Sequence, residues 1–304
     1  MLKVSSHLGL PPIATYAGLN LWNFGPIVED EPLCMENLRC LHTLTGTVDE
    51  EWFYLISVAM EARGGEIVPA VMSAMDAVRQ NNASVVRECL LEFAASIRDI
   101  SVLLERMYEK CDPEVFYHQI RPFLAGTKNM GKAGLPNGVF YEEGAEKGEW
   151  RQNSGGSNAQ SSLIQFFDVV LGVEHGPTGG GQGKQVYLQE MRSYMPGPHR
   201  DFLNRMDKIS NIREYVMNSA AGPEVMDAYN LAVLSLKEFR DVHIQIVTKY
   251  IIIPSRRMPM SEGGGLNLAV ASTNDKSKLK GTGGTDLIPF LKQSRDETGA
   301  TTIE

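Results

Sequence analysis

An all-α fold is predicted by three features of the sequence. From Pro223 to about Ile252 apolar residues recur at intervals of three and four (Val225, Tyr229, Ala232, Leu236, Phe239, then Ile246, Val247 and Tyr250), which on a helix forms one continuous buried stripe. Between Asn82 and Lys110 the same period places Val86, Leu90, Phe93, Ile97, Ile100 and Leu104 on one side. The remaining periodic runs are bracketed by residues that start and stop helices. About nine or ten helices follow from this pattern. They show no internal repeat and form one large helical domain over residues 1–304.

Taken in order, residues 8–23 (LGLPPIATYAGLNLWN) read as a loop and then a helix from about Pro12. Residues 24–49, with Pro26, Pro32 and many acids, read as irregular, with a turn or short strand. Asp49 caps a helix over EEWFYLISVAMEAR, where Glu50 and Glu51 suit the positive helix end, and Gly64-Gly65 stop it. Helices over Ile67–Gln80 and from Asn82 to Lys110 follow, and Asp112-Pro113 opens another, Glu114–Ala125, ended by Gly126. Residues 126–160 are rich in Gly, Asn and charge, and a loop of that length in a compact domain is usually functional. Ser161 leads into an apolar helix that carries Asp168. After a flexible connection, GPTGGGQGK (176–184), come helices around Val186–Tyr194 and Pro198–Met206. The long helix opens at Pro223 after Gly222 and stops at Pro254. Residues 254–280 are polar and aperiodic, a mobile surface loop, and a glycine turn then feeds a last helix.

Composition narrows the function. Hydrophobic residues at 43% and charged residues at 22% describe an ordinary soluble protein with a full core. The formal charge of −8, with no basic run, argues against nucleic acid or an anionic membrane as partner. No apolar run approaches the length of a membrane span, and the first residues carry no secretory core. Four cysteines without CxxC spacing read as reduced thiols, which places the protein in the cytoplasm.

Motifs with chemistry are few. GGGQGKQ and GTGGTD fail as phosphate loops on spacing, although the turn at Gly281–Asp286 could present backbone N–H groups to an anion or simply enter a helix. None of the six histidines has HxxxH or HExxH spacing, and there is no GxSxG elbow. An enzyme built this way must take its chemistry from a cofactor. His243 lies on the apolar stripe, four residues after Phe239 and three before Ile246, either as a core histidine or as an axial ligand to metal or haem. Arg121, near Phe116 on a helix that ends in a glycine loop, either clamps a carboxylate or snorkels over apolar neighbours.

Five ordered segments carry a more specific signal: LPPIATYAGLNLWN (10–23), SGGSNAQSSLIQFFDVVLG (154–172), MRSYMPGPHRDFL (191–203), HIQIVTKYIIIP (243–254) and GTGGTDLIPFLK (281–292). Together they resemble the indoleamine 2,3-dioxygenase family from Leu10 to about Lys292. The resemblance implies a single haem pocket between long helices. It also implies an enzyme that cleaves the indole C2–C3 bond of L-tryptophan, or of a related indoleamine, with O2. The product would be N-formylkynurenine, the first step of the kynurenine pathway towards NAD.

The resemblance further implies haem b as cofactor, with His243 as the iron ligand and Arg240 against a haem propionate. Asp168 takes a role behind the proximal histidine, fixing its tautomer. Phe53 and Ser57 form the distal pair, Tyr16 and Phe116 wall the indole, and Arg121 receives the substrate carboxylate. Gly156 and Ser157 belong to a loop above the haem, and Thr282 to a turn that closes over the substrate. A monomer is expected. The family's N-terminal small domain is expected to be absent, Asn158 replaces a small residue of the distal loop, and Leu19 and Asn20 depart from the usual neighbours of Tyr16. Two other readings remain open here: a haem or O2-binding protein without turnover, and an inactive shortened family member.

Overall fold

The residues that the period placed inside are inside, and they set the architecture. Phe93, Leu90 and Ile100 from one long helix meet Tyr229, Ala232 and Leu236 from the other, all fully buried. The computed structural model describes the chain except for residues 33, 129, 145–146, 178–186, 219–220, 258–278 and 283–284. Its helices are α1 (Leu2–Leu8), α2 (Val48–Gly65), α3 (Val68–Arg79), α4 (Ala83–Glu105), α5 (Met107–Lys110), α6 (Pro113–Val115), α7 (Ser162–Leu171), α8 (Tyr187–Arg192), α9 (Gly197–Ile209), α10 (Ile212–Met217), α11 (Pro223–Val247), α12 (Ile253–Ser255) and α13 (Leu287–Gly299). Helix α11 packs lengthwise on α4 and carries α13 on another side, while α2 and α3 also lie on α4. The all-α prediction holds, with two small antiparallel sheets added: β1 (Phe24–Pro26) with β2 (Leu38–Cys40), and β3 (Val139–Gly144) with β4 (Lys147–Arg151). Among the described residues no helix is long and apolar enough to cross a membrane.

Several expectations are corrected. The start of α2 is capped by Thr47, whose Oγ1 accepts from Glu50 N at 3.2 Å, and Asp49 instead accepts from Asp112 N at 2.7 Å. Both are good cap residues, and Asp49 serves better as a tie between the starts of α2 and α6. The helix expected from Pro12 is reduced to one wide turn at Ala17–Leu21, while α1 and α10 were not anticipated. The 126–160 stretch is not all loop, because β3 and β4 form a hairpin with Phe140 opposite Trp150. The connection at 176–184 and the polar stretch at 254–280 fall largely outside the described residues.

Pro254, read as the stop of the long helix, is absorbed instead, and so is Pro122 inside the helix expected over Glu114–Ala125. A proline ring clashes with the carbonyl four residues back and offers no N–H. Ahead of Pro122 the helix widens into a π-turn at Phe116–Ile120, and ahead of Pro254 it widens at Thr248–Ile252, so α11 runs on into α12. The widened turns meet: Phe116 and Tyr250 pack edge to face at 5.7 Å, and Tyr250 Oη donates within 2.9 Å of Met107 O and 2.8 Å of Cys111 O.

One backbone crossing positions the site. Gly155 lies so close to the Leu124–Gly126 segment that a Cβ would overlap the Leu124 carbonyl oxygen and crowd Gly126 N and Ala125 C. We expect Gly155→Ala to destabilise the fold by about 1–3 kcal/mol through this overlap. The change in denaturant midpoint measures it, and an unchanged midpoint would mean the two backbones can separate freely.

Candidate active site

Helix α11 turns His243 and Arg240, one turn apart, toward a cavity that α2, the 116–124 segment, the 156–161 loop and the start of α13 enclose. Its empty space, measured out to its mouth, is about 1870 Å³. The walls are mainly apolar and aromatic, with a few converging polar groups, the usual make-up of a small-molecule site.

His243 keeps some accessible surface only because the cavity is open to it. It has no hydrogen-bond partner among the described residues, and burial, helped by the nearby Arg240 charge, brings its pKa down to about 4. The imidazole is therefore neutral, with a lone pair directed at no protein group. Among the described residues no cluster of three or more His, Cys, Asp or Glu could hold a bare metal ion.

Arg240 is buried and bound from two sides. Its Nη2 donates to Asp168 Oδ1 and Oδ2 at 2.7 and 2.8 Å, and its Nη1 to Ser294 O at 3.0 Å, while Nε has no partner. Burial pushes the Asp168 carboxyl up, but Arg240 and His175 outweigh it and hold the carboxyl below its ordinary value. Asp168 makes no direct hydrogen bond to His243. Its oxygens serve Arg240 and, at 3.1 Å, His175 Nε2.

On the facing wall α2 presents Phe53, Ser57 and Glu61 at intervals of four, one stripe of the helix. Phe53 packs edge-on to Phe116 at 5.0 Å. Tyr16, on the wide turn's N-terminal side, is buried with its N–H donating to Gln160 Oε1 at 2.9 Å. Its phenol lies beside Glu61, Ser57 and Ser161, and burial first, then Glu61, pushes its pKa well up. Ser161 Oγ donates to Glu61 Oε1 at 2.5 Å. Burial raises the Glu61 pKa, against the pull of Ser161 and Tyr16.

Arg121 differs from Arg240 in what it lacks. It is 2% exposed, donates from Nη2 to Lys280 O at 2.7 Å, and lies 5.7 Å from the Tyr117 ring centroid. No carboxylate pairs with it among the described residues, its Nε is unpartnered, and burial lowers its pKa to about 10. Thr282, two residues beyond Lys280, donates to Gly156 O at 2.8 Å and accepts Gly155 N at 3.3 Å, so residues 280–282 are latched onto the 154–157 loop. Ser157 caps the short turn that follows and lies beside the Tyr187 phenol, whose pKa burial raises to about 12.

The structure thus gathers Tyr16, Phe53, Ser57, Phe116, Arg121, Gly156, Ser157, Asp168, Arg240, His243 and Thr282 around one cavity. Leu19, Asn20 and Asn158 line it as well. Glu61 and Tyr187 were not foreseen. Glu61 has a sequence signal, sitting four residues after Ser57 on the same helical face.

A family model described as indoleamine 2,3-dioxygenase matches residues 1–301. The chain belongs to the indoleamine 2,3-dioxygenase family. Indoleamine 2,3-dioxygenase nanC of Aspergillus nanangensis is 45% identical over 306 residues, covering 98% of this chain and 72% of that protein. Indoleamine 2,3-dioxygenase of Saccharomyces cerevisiae is 45% identical over 324 residues, covering 99% and 71%. 6-hydroxytryptophan 2,3-dioxygenase fscD of Fusarium equiseti is 38% identical over 301 residues, covering 98% and 72%.

The Arg240–Asp168 pair also stabilises the site. Asp168→Ala strands a buried guanidinium, and we expect a loss of about 3–5 kcal/mol. Chemical denaturation of the variant beside its parent reads this directly. A loss under about 1 kcal/mol would show that the pair is solvated like a surface ion pair.

Proposed function

We propose that the chain is a haem-dependent dioxygenase that opens the indole C2–C3 bond of L-tryptophan, or of a related indoleamine, to give N-formylkynurenine. One observation carries this reading: Arg121 is a fully buried cation with no counter-ion among the described residues, set in an aromatic cavity that a neutral His243, unpartnered among them, also faces. A buried cation needs an anion. An α-carboxylate joined to an indole fits both the charge and the walls.

The family is haem-dependent, and the donor set here fits that group. A lone neutral imidazole would hold the iron of a group whose macrocycle supplies the remaining donors. Arg240, with an orphaned Nε, stands one turn away on the same wall to meet the carboxylates of haem b. Ser157 and Asp168 would complete that side. When bound, the haem supplies the redox-active iron that activates O2.

The chain's own residues bind, orient and exclude. Arg121 can take the substrate carboxylate through paired N–H groups, in competition with Lys280 O, so substrate arrival and the seating of residues 280–282 are coupled. Tyr16, Phe53 and Phe116 hold the indole between aromatic faces and keep water from it. Ser57 adds a hydroxyl on the α2 face. Thr282 and Gly156 fasten the closing turn. Adding both atoms of O2 to tryptophan balances without a proton or an external electron, which suits a wall of phenyl rings and hydroxyls. A carrier or sensor of O2 would have no use for the Arg121 guanidinium.

Two variants test the reading. His243→Ala should abolish stable haem binding, and an unaltered Soret band at unchanged occupancy would move the ligand elsewhere. Arg121→Ala should keep its haem while kcat/KM for tryptophan falls about tenfold to a hundredfold, the cost of a charge-assisted contact. Undiminished turnover in that variant would place the carboxylate at another group.

A further inference from the structure

We infer that His175 is a buried imidazolium that positions Arg240 for the carboxylates of the cofactor. The last link rests on the haem reading above. His175 lies in the segment after α7, with only 9% of its side chain exposed. Its Nε2 stands 3.1 Å from Asp168 Oδ2 and its Nδ1 2.7 Å from Glu297 Oε2.

Hydrogen-bond inventory decides the charge. Both Asp168 oxygens lie within 2.8 Å of Arg240 Nη2, the pairing of a carboxylate with a guanidinium. Glu297 accepts Gly176 N at 2.9 Å and Gln293 Nε2 at 2.7 Å on Oε1, which leaves Oε2 to face the ring. Each ring nitrogen of His175 therefore faces an acceptor. A neutral imidazole has one N–H and would set a bare lone pair against a carboxylate, whereas the imidazolium donates from both.

The four groups then balance: Arg240 and His175 positive, Asp168 and Glu297 negative. They join three helices, with Asp168 on α7, Arg240 on α11 and Glu297 on α13, and Ser294 O of α13 holds Arg240 again at 3.0 Å. Removing His175 leaves Asp168 and Glu297 facing each other with one cation between three helices. Arg240 would lose the fixed carboxylate that holds its guanidinium in place.

The charged groups that face the ring are Asp168, Glu297 and Arg240. Burial lowers its pKa and Arg240 adds to that, but the bonds and charge of Asp168, with Glu297, prevail and the net shift is upward. Glu174, Arg192, Asp207, Arg213 and Glu214 border the adjoining cleft and make no recorded bond to His175. A raised pKa means the contribution to stability is complete below the ordinary histidine value of about 6.5 and is lost as pH rises through the folded value.

The experiment uses the full chain with and without haem. Ring-nitrogen NMR of histidine-labelled protein at about pH 7.5, above the ordinary histidine value, should show one doubly protonated ring whose signals vanish in His175→Gln. A neutral ring there overturns the assignment. In the haem-loaded parent the ferric–ferrous midpoint potential should fall across the titration of His175, and His175→Gln should lack that step. The variant should also release haem about tenfold faster, the usual scale for a residue acting behind a ligand. Equal release and equal pH dependence would overturn the positioning role. Failure of the parent to take up haem would overturn the cofactor reading and the positioning role together, with the ring spectrum still deciding the imidazolium.

Discussion

The site depends on how charge is handled out of water. Two guanidiniums are buried beside one cavity, and their different treatment divides the work. Arg240 is neutralised inside the protein by Asp168 and held again by Ser294 O, so it is a fixed feature of the wall. Among the described residues Arg121 is left to a backbone carbonyl and an aromatic ring, a poor substitute for a counter-ion. Desolvating a cation costs several kcal/mol, which an arriving carboxylate can offset. The fold thus keeps one arginine satisfied and the other waiting. The stable and the responsive parts of the site use the same side chain.

Much of this was legible in the sequence because helical period reports burial directly. The stripes on α4 and α11 fixed the core, and the same stripe on α11 carried His243 to the cavity. Arg121 could be singled out by its aromatic neighbours. The errors have physical causes. Thr47 and Asp49 are equally able caps two residues apart, and only the distant Asp112 N–H decides between them. Pro254 looked like a stop, and the break ahead of Pro122 went unseen, because a π-turn leaves no compositional mark. The β3–β4 hairpin escaped because its strands are largely solvated, so no alternation of buried and exposed residues shows in its sequence.

The residues missed in the site share a different cause. Glu61 meets Ser161 across 100 positions, and His175 meets Glu297 across 122. No local window contains both partners. A carboxylate or imidazole whose role is set by such contacts looks like any surface residue until the helices are packed. The family match covers nearly the whole chain, so the overall identity was more accessible than these pairings.

The paired π-turns have a consequence for how this molecule tolerates changes in length. Each π-turn holds one more residue than the α-turn it replaces, equivalent to an insertion stored within a continuous helix. Because an α-helix turns by about 100° per residue, deleting one residue from Thr248–Ile252 would restore ordinary winding and rotate everything after it by that angle. Pro254 would then set its ring against a carbonyl that the wide turn had moved aside. The same arithmetic applies to Phe116–Ile120 and Pro122. In these two segments the number of residues, as much as their identity, keeps the aromatic floor aligned with the histidine.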